Sequence, residues 1–259
     1  MSSPFSLAVC AEMVFTDLPV VDRVKEIHSR GYLVEIWDWS NKDLEALAAT
    51  GATFSSMTGY LRGELIGADG ANELLETARL SCEAAKIINP PRLNIHGTGL
   101  DDKGLPVKPQ NTVTAQERVQ AIDTLKRLAD LGAEYDRVFM LENLNLLVDH
   151  MGTPFGRAED TIALVSEINH PHLKLNLDLY HAQIGEGNLI ELCKQALPWI
   201  GEIQIADVPG RMEPGTGEIN YTGVSAALQA MGYTGVIGME AWASGDSDLA
   251  LERFKTAFS

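Results

Sequence analysis

The chain alternates short apolar runs with longer segments in which apolar residues recur every three or four positions. The short runs are typical of buried parallel strands, and the longer segments are typical of amphipathic helices. We predict strands at residues 5–10, 32–37, 53–57, 92–96, 137–141, 172–177, 200–205 and 236–239. We predict helices at residues 19–30, 41–50, 71–87, 112–132, 157–168, 188–196, 221–231 and 248–258.

These eight βα units predict a closed α/β architecture. In a chain of 259 residues with no linker or low-complexity tract, they most simply form a single (β/α)8 TIM barrel, one domain over residues 1–259. A doubly wound open sheet is the structural alternative. The chain lacks both the G-x-G-x-x-G and the G-x-x-x-x-G-K-[ST] pattern, so neither dinucleotide binding nor P-loop chemistry is indicated.

Composition and charge narrow the set of partners. The chain has 36 acidic and 20 basic residues, a formal net charge of −16, which disfavours nucleic acid and anionic membranes. No run approaches 18 apolar residues, and the first nine residues lack the basic start of a signal peptide. Its three cysteines are widely spaced, without a C-x-x-C pair. We therefore expect a cytoplasmic protein with reduced thiols.

Four polar residues lie at the carboxyl ends of consecutive predicted strands, five to eight. In a barrel these ends share one face, which is where such folds place their active sites. Three carboxylates and one amide oxygen are a ligand set that suits Mg²⁺ or Mn²⁺. A metal here could stabilise an enediolate while two carboxylates on opposite sides, Glu142 and Glu240, move protons. The predicted metal ligands are Glu142, Asp178, Gln204 and Glu240.

Other side chains near the same face are candidates for substrate binding. His96 ends the fourth predicted strand, and His181 follows Asp178 by three residues, so that it could donate to a substrate oxygen or add a nitrogen ligand. Arg211 lies in a Gly/Pro-rich loop after strand seven and could bind a substrate carboxylate or phosphate. Trp242, after strand eight, could form a wall of the pocket.

Three segments resemble the hydroxypyruvate isomerase family of xylose-isomerase-like barrels. They are LENLN at 141–145, DLYHAQ at 178–183 and the stretch from QIAD at 204–207 through EPGTGEINY at 213–221. The resemblance implies that Glu142 and Glu240 are the acid/base pair, that the four strand-end residues are metal-type ligands, and that His181 and Arg211 contact substrate. It makes a divalent ion expected without making it obligatory.

The resemblance implies an isomerase that converts hydroxypyruvate to tartronate semialdehyde through an enediolate. Departures from the family pattern bear on the substrate pocket: residues 57–64 read MTGYLRGE, and Glu240 is followed by AWASGD. A 2-oxo-tetronate isomerase or a ketose 3-epimerase with the same two-glutamate chemistry is therefore the alternative. A repair nuclease of the three-zinc type is a weaker alternative, because the chain has only six histidines and a net charge of −16. A non-catalytic sugar-binding barrel is also weaker, because a pure binding module does not require two opposed glutamates.

The expected ligand is thus a small hydroxycarbonyl compound. A homodimer or homotetramer is also expected, mainly from the resemblance. Leu61, Leu65 and Ile66, in the loop after strand three, are expected to provide apolar surface for such an interface or for a lid.

Overall fold

A computed structural model describes residues 3–101 and 103–259. Its strands form a closed parallel barrel in the order β1 to β8, each pairing with the next and β8 with β1. They are β1 (Ser6–Cys10), β2 (Leu33–Ile36), β3 (Phe54–Thr58), β4 (Arg92–Ile95), β5 (Val138–Glu142), β6 (Leu173–Asp178), β7 (Ile200–Ile205) and β8 (Val236–Met239). The predicted TIM barrel is confirmed. The extent of the domain over residues 1–259 stays a prediction.

Helices surround the barrel and are joined to it by the loops. Those in the described residues are α1 (Val20–Ser29), α2 (Leu44–Ala48), α3 (Ala68–Ile88), α4 (Ala115–Tyr135), α5 (Ala158–Ile168), α6 (Leu179–Gly185), α7 (Leu189–Ala196), α8 (Tyr221–Ala230) and α9 (Ser247–Ala257), with a 3-10 turn at Leu197–Trp199. The short helix α6 was not predicted. It begins directly after β6 because the Asp178 side chain accepts the His181 backbone N–H and caps the first turn.

Alternate strand residues serve two different layers. Leu93, Phe139, Leu141 and Ile203 are fully buried members of the apolar core, and by the period-two alternation of a strand they lie on the face opposite the barrel interior. Leu65 and Ile66 are also buried in this core, so the expectation that they provide apolar surface is wrong. The loop after β3 folds back onto the barrel instead. No helix in the described ranges is long and apolar enough to cross a membrane.

The interior of the barrel is polar. Arg92 Nε donates to Glu202 Oε2 at 2.6 Å, and Gln204 Nε2 donates to Glu35 Oε2 at 3.3 Å. These bonds join β4 with β7 and β7 with β2, which are not neighbours in the sheet, so they cross the interior. A Cβ at Gly238 would lie 1.9 Å from Glu35 Oε1, which shows that Gly238 makes room for this carboxyl group. Burial and the charge of Glu202 raise the pKa of Glu35 well above its usual range.

Removing one partner of the buried ion pair tests this interior. We expect Arg92→Met to lower the free energy of unfolding by about 3 kcal/mol, because it leaves the Glu202 carboxylate buried without its cation. Urea unfolding followed by circular dichroism measures the change. The double variant Arg92→Met/Glu202→Gln removes both charges and should be more stable than the single variant. If the double variant is equally destabilised, the ion pair does not compensate the charge of Glu202.

Candidate functional site

A cavity of about 950 Å³ opens at the carboxyl ends of the strands. Five of the predicted site residues line it: His96, Glu142, Arg211, Glu240 and Trp242. The remaining three, Asp178, His181 and Gln204, are buried beside this cavity and are not among the residues that line it. The structure therefore brings the predicted residues to one end of the barrel.

Glu142 is the last residue of β5 and is held by several donors. Its Oε2 accepts hydrogen bonds from Asn94 Nδ2, from His96 Nε2 at 3.1 Å and from Asn176 Nδ2 at 3.3 Å. Burial alone would raise the pKa of Glu142, but the bonds from His96 and Asn94 hold this pKa below its usual range. Glu142 is thus an ionised carboxylate in a fixed orientation.

His96 is oriented by a neighbouring phenol. Tyr60 Oη lies 2.9 Å from His96 Nδ1 and donates to the carbonyl oxygen of Thr98 at 2.8 Å. These two contacts of the phenol hold the His96 ring in place. Nε2 of His96 is then turned toward Glu142.

Glu240 follows β8 directly and has a different environment. Its Oε1 accepts from Trp37 Nε1 at 2.5 Å, and its Oε2 accepts from Arg211 Nη2. Burial raises the pKa of Glu240, and the charge of Glu142 adds to this effect, although Arg211 and Trp37 oppose it. The two glutamates therefore have pKa values that are shifted in opposite directions.

Arg211 reaches the cavity from a loop whose backbone amides are bound by a buried carboxylate. The buried carboxylate of Asp207 accepts from four amides of this loop, those of Val208, Gly215, Gly217 and Ile219, at 2.8–3.0 Å. Glu213, also buried, accepts from Ser244 and Arg253 and so ties the loop to the segment after β8. Arg211 has a positive φ of 55° and its guanidinium lies 5.2 Å from the Tyr180 ring centroid.

Glu142 also belongs to a group of side chains that could bind a metal ion. Among the described residues, one ligand atom each from Glu142, Asp178 and His181 lie within 4.8 Å of one another. Burial and the charge of Glu142 raise the pKa of Asp178 well above its usual range. A divalent cation would relieve this repulsion between two buried carboxylates, and oxygen ligands are those that Mg²⁺ and Mn²⁺ prefer. The group can therefore hold a metal ion.

The other two predicted ligands are engaged elsewhere. Gln204 Oε1 accepts from Asn176 Nδ2 at 2.5 Å, and the Glu240 carboxylate is bound by Arg211 and Trp37. His181, predicted as a substrate contact, lies with the carboxylates instead of lining the cavity. The four-ligand set stays a prediction.

Sequence reasoning missed Asn94 and Asn176, which position Glu142. Each precedes a predicted site residue by two positions, and period-two alternation places residues i and i+2 on the same face of a strand. That spacing is a signal that could have found them. Nothing in the local sequence identifies Tyr60 as the partner of His96, because the two lie 36 residues apart.

Comparisons with known proteins agree with this architecture. The family model described as xylose isomerase-like TIM barrel matches residues 29–256. A 2-oxo-tetronate isomerase from Pectobacterium atrosepticum is 31% identical over 240 residues, covering 88% of each chain. A putative hydroxypyruvate isomerase from Xenopus laevis is 35% identical over 127 residues, which is 49% of this chain and 46% of that protein, so this match spans about half of the relative's length.

Solved structures show the same fold. The crystal structure of an AP endonuclease, family 2, from Brucella melitensis superposes with a TM-score of 0.84 at 22% identity, covering 98% of this chain and 99% of that one. The predicted resemblance is thus confirmed at the level of the family. With a closed eightfold barrel, a polar site at the strand ends and a family match over most of its length, this chain belongs to the xylose isomerase-like TIM barrel family.

Proposed function

We propose that this protein is an isomerase of short α-hydroxycarbonyl acids, with hydroxypyruvate and tartronate semialdehyde as its principal pair. The reaction moves a hydrogen between adjacent carbons through an enediolate. Support comes from the site and from relatives named hydroxypyruvate isomerase and 2-oxo-tetronate isomerase.

One observation carries the proposal: two buried glutamates from non-adjacent strands line one cavity, and their pKa values are shifted in opposite directions. A carboxylate with a lowered pKa can take the proton from one carbon, and a carboxyl group with a raised pKa is the better donor to the next carbon. Pairs of groups with divergent pKa values supply these two roles at one pH. A pure binding module would need no such pair.

Glu142 is assigned the role of base. Its Oε2 is occupied by three donors, so Oε1 is the oxygen that can take the proton from the substrate carbon. Glu240 exchanges the proton on its own side of the cavity. Arg211 gives the substrate carboxylate a cation, and His96 and Trp242 line the space in which the substrate lies.

A divalent cation, Mg²⁺ or Mn²⁺, fits the group of buried ligand-type atoms beside the cavity. Glu142 and Asp178 would hold it, and Gln204 and Glu240 would join only by giving up their bonds to Asn176 and Arg211. When bound, such an ion stabilises negative charge on the oxygens of an enediolate. The residues of this chain still position the substrate and move its protons.

Replacement of either glutamate tests the acid/base assignment. We expect Glu142→Gln and Glu240→Gln each to lower kcat for hydroxypyruvate by about 10²–10⁴-fold, because an amide neither takes nor delivers the proton. Turnover and C–H exchange are followed by proton NMR in D₂O. Glu218→Gln, an exposed change in the loop after β7, is the matched control and should keep the activity. Near-normal turnover in both site variants would refute the assignment.

Metal removal tests the cation. After treatment with EDTA we expect the exchange of the substrate C–H with D₂O to be lost and to return with Mn²⁺ or Mg²⁺, since the paired carboxylates then regain their counter-charge. Asp178→Asn should bind Mn²⁺ more weakly in a calorimetric titration. Full activity in EDTA shows instead that the carboxylates act without a metal.

A 2-oxo-tetronate isomerase or a ketose 3-epimerase is the second candidate. The cavity of about 950 Å³ lies at the large end of the range for small-molecule sites, and the Pectobacterium relative covers 88% of each chain. Trp242 is 41% exposed and packs edge to face against Trp37, which offers an aromatic wall to a longer carbon chain.

Substrate length separates these candidates. We expect kcat/KM to be highest for hydroxypyruvate, and Trp242→Ala to lower it more for a 2-oxo-tetronate or a ketohexose, which extend toward the wall, than for the three-carbon acid. Steady-state assays on three-, four- and six-carbon substrates measure this. A clear preference for the longer substrates assigns the second function.

A further inference from the structure

His181 is a buried imidazole with one nitrogen left free. It has no solvent exposure, and its Nε2 lies 3.8 Å from both Glu142 Oε1 and Asp178 Oδ2 without a hydrogen-bond partner. A neutral imidazole carries its hydrogen on only one nitrogen. Nε2 is therefore either an N–H donor or a lone pair that binds a cation, and the group bonded to Nδ1 decides which.

Asn145 is the group that contacts Nδ1. Its amide nitrogen Nδ2 lies 2.8 Å from His181 Nδ1 and 2.6 Å from Asp149 Oδ2. Its Oδ1 accepts the backbone N–H of Val148 at 3.0 Å and of Asp149 at 2.9 Å. Asn145, Val148 and Asp149 all lie in the loop that follows β5.

The orientation of this amide is determined by its partners. If the side chain were turned by 180°, its nitrogen would face two backbone N–H donors and its oxygen would face the Asp149 carboxylate. Each of these contacts would be repulsive. Nδ2 therefore points to His181 and Asp149, and Nδ1 of His181 must accept a hydrogen bond.

The ring of His181 is also fixed. It packs against the His150 ring, with 4.9 Å between centroids, and against the Tyr180 ring, with 5.0 Å between centroids. Tyr180 Oη donates to Asp149 Oδ2 at 2.9 Å, so the same aspartate holds both Asn145 and one of the packing rings. Because Nδ1 accepts a hydrogen bond from Asn145, the ring carries a single hydrogen and is neutral.

We infer that Asn145 is a positioning residue that places the hydrogen of His181 on Nε2, so that His181 turns an N–H, and not a lone pair for a cation, toward the carboxylates of Glu142 and Asp178. This inference rests on the proposed function and extends it. An N–H turned toward two buried carboxylates offsets part of the repulsion between them. The cation site then consists of oxygen ligands, which the carboxylates of Glu142 and Asp178 supply.

The tautomer of His181 is measured directly by NMR. In metal-free protein labelled with ¹⁵N-histidine, long-range ¹H–¹⁵N spectra distinguish a protonated ring nitrogen from one with a lone pair, and His181→Gln assigns the signal. We expect Nε2–H in the wild-type protein. Protonation of Nδ1 in the wild type overturns the inference, whatever the variants show.

Exchanging the two loop residues reverses the pattern. In Asn145→Asp/Asp149→Asn the net charge is unchanged, and the new carboxylate at 145 can only accept, so we expect the hydrogen to move to Nδ1. Asp149→Asn alone keeps Asn145 and should keep Nε2–H. If the double variant retains Nε2–H, or if Asp149→Asn alone moves the hydrogen, Asn145 does not control the tautomer.

Metal affinity provides the second readout. In the double variant Nε2 becomes a lone pair beside two carboxylates, so we expect Zn²⁺, titrated by calorimetry into metal-free protein, to bind at least about tenfold more tightly than to the wild type. Equal affinities would overturn the conclusion that the tautomer keeps His181 off the cation. Both measurements are independent of turnover, so failure of the proposed reaction would not alter them.

Discussion

The site depends on how the barrel compensates charge that it has removed from water. Arg92 and Glu202 form an ion pair in the interior, Glu35 lies beside them, and amide side chains continue the network upward. Gln204 and Asn176 connect it to Glu142. Unpaired charges in such surroundings are costly, so each residue of this interior network must keep its hydrogen-bond or ion-pair partner. The orientation of Glu142 is therefore tied to residues at the far end of the barrel.

This arrangement explains why two glutamates with the same chemistry behave differently. Glu142 belongs to the interior hydrogen-bond network and accepts hydrogen bonds from three side chains. Glu240 lies just outside β8 and is held from the loops, by Arg211 and Trp37. One carboxylate is thus positioned by the geometry of a closed sheet and the other by loops, a kind of segment that generally varies more than strands do. The loops can therefore change the substrate while the barrel keeps the base.

Much of the fold follows from local sequence. Eight apolar runs are long enough to be recognised as strands, and strand ends share a face in a barrel, so Glu142 and Glu240 could be assigned from spacing alone. The partners of these residues could not. Arg211 reaches Glu240 across 29 positions, and Tyr60 reaches His96 across 36, and neither distance leaves a local pattern. Asp178 was predicted as a ligand, but its second role as the cap of α6 depends on a turn of only seven residues.

The backbone of Arg211 has a consequence for the stability of the loop. A φ of 55° belongs to the left-handed region, which glycine and asparagine adopt readily and arginine does not. The loop itself is secured by the carboxylates of Asp207 and Glu213, so the arginine side chain is not needed to fold it. Replacing Arg211 with glycine would relieve about 1 kcal/mol of backbone strain at this position. The arginine thus has a local cost to stability, and in return it brings a cation to the Glu240 carboxylate.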